Sequence, residues 1–251
     1  MSTKSTTIIL SDELTWPSVV LDCLNKHHDI FYLGEDILEG VKQEVLPARQ
    51  YDFAHEELYK ALLPFHLKGY HCTRLTESEI LNITNDGTIL PNLDFLTRRI
   101  DTLVSCGILT SEIANRLKTE NEASCRYRIR QLWFCFFPPK KDGDGVKRFF
   151  CSWGGEALYM RHENDPETGA ILREIGKPCI VEADIPISSL NPDCGLTFNI
   201  ARNFLKNNGR QTNECYDFSA YSKKNILPSQ IKKIFQFPDP DFIALSGWGS
   251  L

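Results

Sequence analysis

The chain has 251 residues, of which 42% are hydrophobic and 24% charged, and it carries a formal net charge of -5. That length accommodates one domain with a large core, or one domain with an appendage. The negative balance excludes a general electrostatic grip on phosphate backbones and leaves nucleic-acid binding only to a local basic groove.

No apolar run is long enough to span a bilayer, so no membrane partner is expected. The opening "MSTKSTTIILSDELTWP" has no long apolar stretch of the signal-peptide kind. The nine cysteines form no C-x-x-C pair and no zinc-spaced set with histidine. Several lie in apolar runs, as Cys135 does in "LWFCFFPP" and Cys151 in "FFCSW". Free thiols packed as small hydrophobes imply a reducing compartment, and a cytoplasmic location is expected.

In chain order, residues 1 to about 9 read as a polar tail or a first strand. "SDELTWPSVVLDCLNKH" has a helix start at Ser11-Asp12 and helix-period apolar positions at Val19, Leu21, Cys23 and Leu24. "FAHEELYKALLPFHLKG" repeats the pattern at Leu58, Ala61, Leu62 and Phe65, with Pro64 bending or ending the helix. Residues 1–65 thus read as a helical accessory region without a chemical motif, open to a protein partner. "KGYHCT" reads as a strand. "TESEILNITNDG" reads as a helix with a Thr76–Glu79 capping box and a Gly87 stop. "NLDFLTRRIDTLVSCGI" and "LTSEIANRLKTENEASCRYRI" are two further helices, the second capped by Thr110 or Ser111.

"RQLWFCFFPP" is strand-like and "KKDGDG" a turn. "VKRFFCSWGGEALYMRHEND" reads as a strand, a glycine-containing corner and a helix. "KPCIVEADIPISSL" is a strand ended by Pro186. "TFNIARNFLKNNG" is strand or helix. "ECYDFSAYSKKNILPSQIKKIFQF" reads as a strand, a turn and a short segment opened by Pro228. The tail "PDPDFIALSGWGSL" reads as irregular. If "CRYRIRQ" is a strand, Arg126, Arg128 and Arg130 share a face, either solvated or facing phosphate or RNA. Helices first and strands later favour an α+β fold over regular alternation.

Three stretches carry potential chemistry: "YHCT" with its helix and Gly87, "FFCSWGGEALY", and "YDFSAYSKKNILPSQI". Together they resemble the ADP-ribosyltransferase superfamily, on its diphtheria-toxin and poly(ADP-ribose) polymerase side. His71 and Thr73 match that family's His-Gly-Thr strand, with Cys72 in the glycine place. Phe149 or Phe150 stands for its strand aromatic, and Ala157 and Tyr159 match Ala-x-Tyr. Asp217, nine residues before Ile226, stands for its strand-leading glutamate.

The resemblance spans about 160 residues on three short islands. It implies a mixed, mainly antiparallel split sheet over residues 66–251, with a helical insertion at about 92–140. It implies NAD as substrate and transfer of one ADP-ribose to a protein or nucleic-acid acceptor, as toxins or defence effectors do. A glycohydrolase using water, or an inactive module binding NAD, ADP-ribose or nucleic acid, are the alternatives. The implied site has the Cys72 backbone on the nicotinamide amide and the His71 imidazole on a ribose hydroxyl. Thr73 buttresses His71, Arg74 and Ser152 lie beside the ligand, and Tyr159, Phe149, Phe150 and Trp153 form aromatic walls. The carboxylate is Asp217, Glu214 or Glu156: Asp217 by spacing, Glu214 by length, Glu156 by its place after Gly154-Gly155.

Overall fold

The computed structural model describes residues 7–38, 40, 48–140, 144–210 and 218–249. Among them a six-stranded, mainly antiparallel sheet is covered by helices, an α+β architecture. The strands are β1 (Thr7–Ile8), β2 (His66–Leu75), β3 (Leu132–Cys135), β4 (Lys177–Pro186), β5 (Ser219–Ser222) and β6 (Ile231–Gln236). Their order is β5-β3-β2-β4-β6, with β1 parallel to the start of β2.

β2 and β4 pair along their full length, from His66 opposite Pro186 to Leu75 opposite Lys177. β2 and β3 pair only at Tyr70 and Cys135. Beyond that point the strands stop pairing, and this edge of β2 has no strand partner among the described residues.

Alternation assigns the two sheet faces. Leu67, Ala183 and Ile185 face α1 (Ser18–Lys26), α2 (His28–Leu38), α3 (Ala48–Leu62) and α10 (Leu196–Asn207), in a core with Leu24, Phe31, Leu58, Leu62 and Phe204. Tyr70, Cys72 and Ile180 face the other way, toward α7 (Asp144–Cys151) and α11 (Pro240–Ser246), where Phe150, Phe242 and Trp248 pack. A separate cluster joins α5 (Leu93–Ser105), α6 (Ser111–Thr119), α8 (Glu156–His162) and α9 (Thr168–Glu174) around the fully buried Trp153. α4 (Glu77–Asp86) follows β2 directly, with the full Thr76–Glu79 capping box and Gly87 at its end.

Several expectations are corrected. "VKRFFC" is helix α7, not a strand: Val146, Phe149 and Phe150 fall at i, i+3 and i+4, a helical stripe that closes on the sheet. The tail is not irregular, because Pro240 opens α11 and Gly247 ends it in the left-handed region. Phe242 on α11 is fully buried and packs 5.1 Å from Phe150. "TFNIARNFLKNNG" resolves as helix α10, with Leu196, Ile200, Ala201, Phe204 and Leu205 buried on one side.

"IKKIFQ" is an edge strand, β6, that the sequence reading did not separate. "CRYRIRQ" forms turns, with Arg130 at φ 57°, so the three arginines do not share a strand face. Asp12 caps a short 3-10 turn over Glu13–Thr15, and α1 begins only after Pro17. The register of α1 shifts accordingly: Val20 and Leu24 are buried, and Val19 is exposed. Of "KKDGDG", residues 141–143 lie outside the described residues, and Asp144-Gly145 begin α7.

Candidate functional site

Where β2 and β3 part, the sheet opens into a cavity of about 470 Å³. That volume lies within the range of about 300 to 1,000 Å³ typical of small-molecule sites. Its floor is the edge of β2, with Tyr70, His71, Cys72 and Thr73. α5 contributes Phe95 and Arg99, the turn before β3 contributes Tyr127 and Arg128, and β3 itself contributes Trp133. The far wall comes from Phe149 on α7 and from Gly154, Gly155 and Glu156 at the start of α8. Ser219, at the head of β5, closes the rim.

His71 Nδ1 lies 2.9 Å from the Trp133 carbonyl oxygen. A carbonyl only accepts, so Nδ1 carries the proton and donates. The ring thus occupies the place where the next β2–β3 backbone bond would form. Burial holds the His71 pKa below the ordinary imidazole value. The Trp133 bond opposes that shift, and the nearby Arg99 charge reinforces it. A neutral ring with Nδ1–H leaves Nε2 as an acceptor, and Nε2 makes no hydrogen bond among the described residues.

The Cys72 thiol hydrogen-bonds with Cys135. That bond, together with burial, pushes its pKa well above the usual thiol value, so it is no nucleophile at neutral pH. Thr73 does not buttress His71, since its hydroxyl points to the Arg74 carbonyl at 3.4 Å.

Glu156 is the one carboxylate on the cavity wall among the described residues. Oε2 accepts from Arg128 Nε at 3.0 Å, and Oε1 accepts from the Tyr159 hydroxyl at 3.1 Å. Tyr159 therefore stands behind Glu156 rather than on the wall. Burial first, then the Glu156 charge, raises its phenol pKa, so it stays protonated as a donor. Its ring meets Phe149 edge-on at 6.0 Å.

Four further candidates do not line the cavity. Phe150 is fully buried beneath α11. Ser152 is buried, and its N–H closes the end of α7 on the Arg148 carbonyl. Trp153 is fully buried; its Nε1 donates to Glu79 Oε2 at 3.0 Å, behind the cavity. Arg74 gives its guanidinium to the carbonyls of Ile175, Phe150 and Gly176, a structural tie between β2 and the α7 and α9 ends. Asp217 and Glu214 lie outside the described residues.

The sequence reading did not single out Arg99, Phe95 or Trp133. A signal existed for Arg99: it sits four residues after Phe95, at the margin of the stripe Leu96, Ile100 and Leu103 that buries α5. A cation on an apolar margin needs a partner, and Glu79 supplies one, Nε to Oε1 at 2.6 Å.

Among the described residues no group of three or more His, Cys, Asp or Glu could hold a metal ion, and no helix is long and apolar enough to cross a membrane. Comparison with protein-family models, with curated proteins and with solved structures finds no match for this chain.

Proposed function

We propose that the cavity binds NAD and that the protein transfers its ADP-ribose to a protein or nucleic-acid acceptor. One observation carries the reading. His71 commits Nδ1 to the Trp133 carbonyl and so presents Nε2 as an acceptor in a cavity with aromatic walls and one carboxylate.

In this reading the unpaired β2 edge at Cys72 offers backbone polar groups to the nicotinamide amide. His71 Nε2 accepts from a ribose hydroxyl, and Phe149 and Tyr70 flank the rings. The nicotinamide–ribose bond breaks and its electron pair leaves with neutral nicotinamide. Positive charge then develops on the ribose carbon, and a fixed carboxylate stabilises it because it does not have to reorganise. Glu156 fills that role from the wall. The acceptor's lone pair forms the new bond to the ribose carbon, and its proton passes to the carboxylate or to solvent.

A second reading, a module that binds NAD or ADP-ribose without cleaving it, draws on the engagement of both Glu156 oxygens by Arg128 and Tyr159.

Free nicotinamide, followed chromatographically during incubation with NAD, separates the two. The transferase reading expects release and acceptor labelling, with both lost in His71→Ala and reduced about 100-fold or more in Glu156→Gln. Loss in Asp217→Asn with little change in Glu156→Gln would move the carboxylate role to residue 217. Release without labelling means water is the acceptor. Binding without release leaves the binding module, and no binding removes NAD from the account.

A further inference from the structure

Two guanidinium groups line the cavity in the same unusual way. Arg99 pairs through Nε with Glu79 Oε1 at 2.6 Å, and Arg128 pairs through Nε with Glu156 Oε2 at 3.0 Å. Neither arginine hydrogen-bonds through Nη1 or Nη2 among the described residues, and Arg99 Nη2 is buried without a partner. A guanidinium can give a carboxylate two parallel N–H bonds. Here each carboxylate takes Nε alone, and Nη1 and Nη2 make no bond to it.

Arg74 shows what a purely structural arginine does in this molecule, since its Nε, Nη1 and Nη2 all donate to carbonyls. Arg99 is also fixed in orientation. Its guanidinium carbon lies 4.4 Å over the Trp153 ring and 5.5 Å from the Phe95 ring. Glu79 is held in turn by the Trp153 Nε1 and Thr76 backbone N–H groups. A stacked, carboxylate-anchored guanidinium with idle N–H donors at a cavity is preorganised for an anion with several oxygens.

We propose that Arg99 and Arg128 form an anion clamp whose ligand is the pyrophosphate of the bound dinucleotide. The clamp follows from the two side chains; assigning it to a dinucleotide rests on the NAD reading above. Arg128 meets one phosphate with its Nη pair, and Arg99 meets the other through Nη1, since its Nη2 is buried. The adjacent neutral His71 does not compete for the anion and remains available to the sugar. The local placement also explains how a chain of net charge -5 can select a phosphorylated ligand without attracting polyanions in general.

Calorimetric titration tests the clamp with inorganic pyrophosphate, ADP-ribose, NAD and phosphate-free nicotinamide riboside. Wild-type protein is expected to bind the three phosphorylated compounds, each displacing the others. It is expected to bind nicotinamide riboside at least tenfold more weakly than NAD. Arg99→Lys keeps a cation beside Glu79 without the fork, and Arg128→Gln changes a turn residue. Each is expected to weaken pyrophosphate binding tenfold or more and to change nicotinamide riboside binding by a much smaller factor. Should Arg99→Lys fail to fold by circular dichroism, Arg128→Gln and the ligand series decide the matter.

No pyrophosphate binding by wild type, or equal binding by wild type and Arg128→Gln, overturns the clamp even if nicotinamide release is observed. Pyrophosphate that neither NAD nor ADP-ribose displaces overturns the dinucleotide assignment. Tight, arginine-dependent pyrophosphate binding without nicotinamide release upholds the clamp while the transferase reading falls.

Discussion

His71 is tied at one nitrogen and open at the other, and both facts come from the parting of two strands. Burial and the Arg99 charge lower its pKa, so the ring stays neutral at pH 7 and Nε2 remains an acceptor. Nicotinamide release is therefore expected to hold steady as pH falls from 8 to about 6.5, and to decline only below that, when Nε2 takes a proton. A decline centred above pH 7 would contradict a neutral acceptor.

A second histidine is shifted in the same direction, and burial is again the leading cause. His55 lies among Phe31, Tyr51 and Phe198, with Nδ1 2.9 Å from the Thr197 hydroxyl and Nε2 buried without a partner. Burial lowers its pKa from 6.5 to about 4, partly offset by Asp52. The unfolded chain therefore binds more protons between these values. The contribution is complete above pH 6.5 and is lost as pH falls toward 4. It amounts to about 2 kcal/mol of lost stability at pH 5. Urea unfolding at pH 7.5 and pH 5 checks this: His55→Phe should lose less stability between the two than wild type does.

At the level of elements, the cavity depends on how α4 and α5 are held. Gly87 ends α4 with φ 79° and ψ -161°, a region only glycine enters readily. A Cβ there would stand 2.0 Å from the Ile226 carbonyl oxygen, in the segment joining β5 to β6. Gly87→Ala should cost about 1 to 3 kcal/mol from backbone strain alone, and more from the displaced carbonyl. A lowered thermal midpoint with weaker NAD binding is the expected readout.

Glu79 combines two tasks, closing the capping box of α4 and anchoring Arg99. Thr76→Ala should cost about 1 kcal/mol, the loss of a cap. Glu79→Ala should cost about 3 to 5 kcal/mol, because it leaves a mostly buried guanidinium unpaired. Equal losses in the two variants, measured by urea unfolding, would mean that the Arg99 contact contributes nothing to stability.

For the whole molecule, the helices of residues 18–62 cover one face of the sheet. Val20, Leu24, Phe31, Leu58 and Leu62 share a cluster with Leu67, Phe134 and Ile185 from the strands. Each fully buried aliphatic or aromatic side chain contributes about 1.5 to 3 kcal/mol. A fragment of residues 66–251 would leave the strand members of that cluster uncovered. It is expected to bind a hydrophobic dye strongly, or to aggregate, under conditions where the full chain stays monodisperse. A monodisperse fragment with native near-ultraviolet circular dichroism would show that the N-terminal helices are a separable appendage.

The sequence by itself determined what depends on neighbours along the chain. The β2 strand, the Thr76–Glu79 box, the Gly87 stop and the end of β4 at Pro186 are local signals, and each lies where its residues predict. It also brought His71, Cys72, Thr73, Phe149 and Glu156 forward, and these do line one cavity. The tertiary structure decided the rest. "RFFC" satisfies strand propensity with its paired phenylalanines, but the i, i+3, i+4 spacing buries Phe150 against α11, a contact nearly 100 residues away. Arg74 and Arg99 are both arginines close in sequence to apolar residues. Only the fold surrounds one with carbonyls and leaves the other on a cavity wall with a buried Nη2 that finds no partner. Hydrogen-bond partners at that separation follow from packing, which no short stretch of chain encodes.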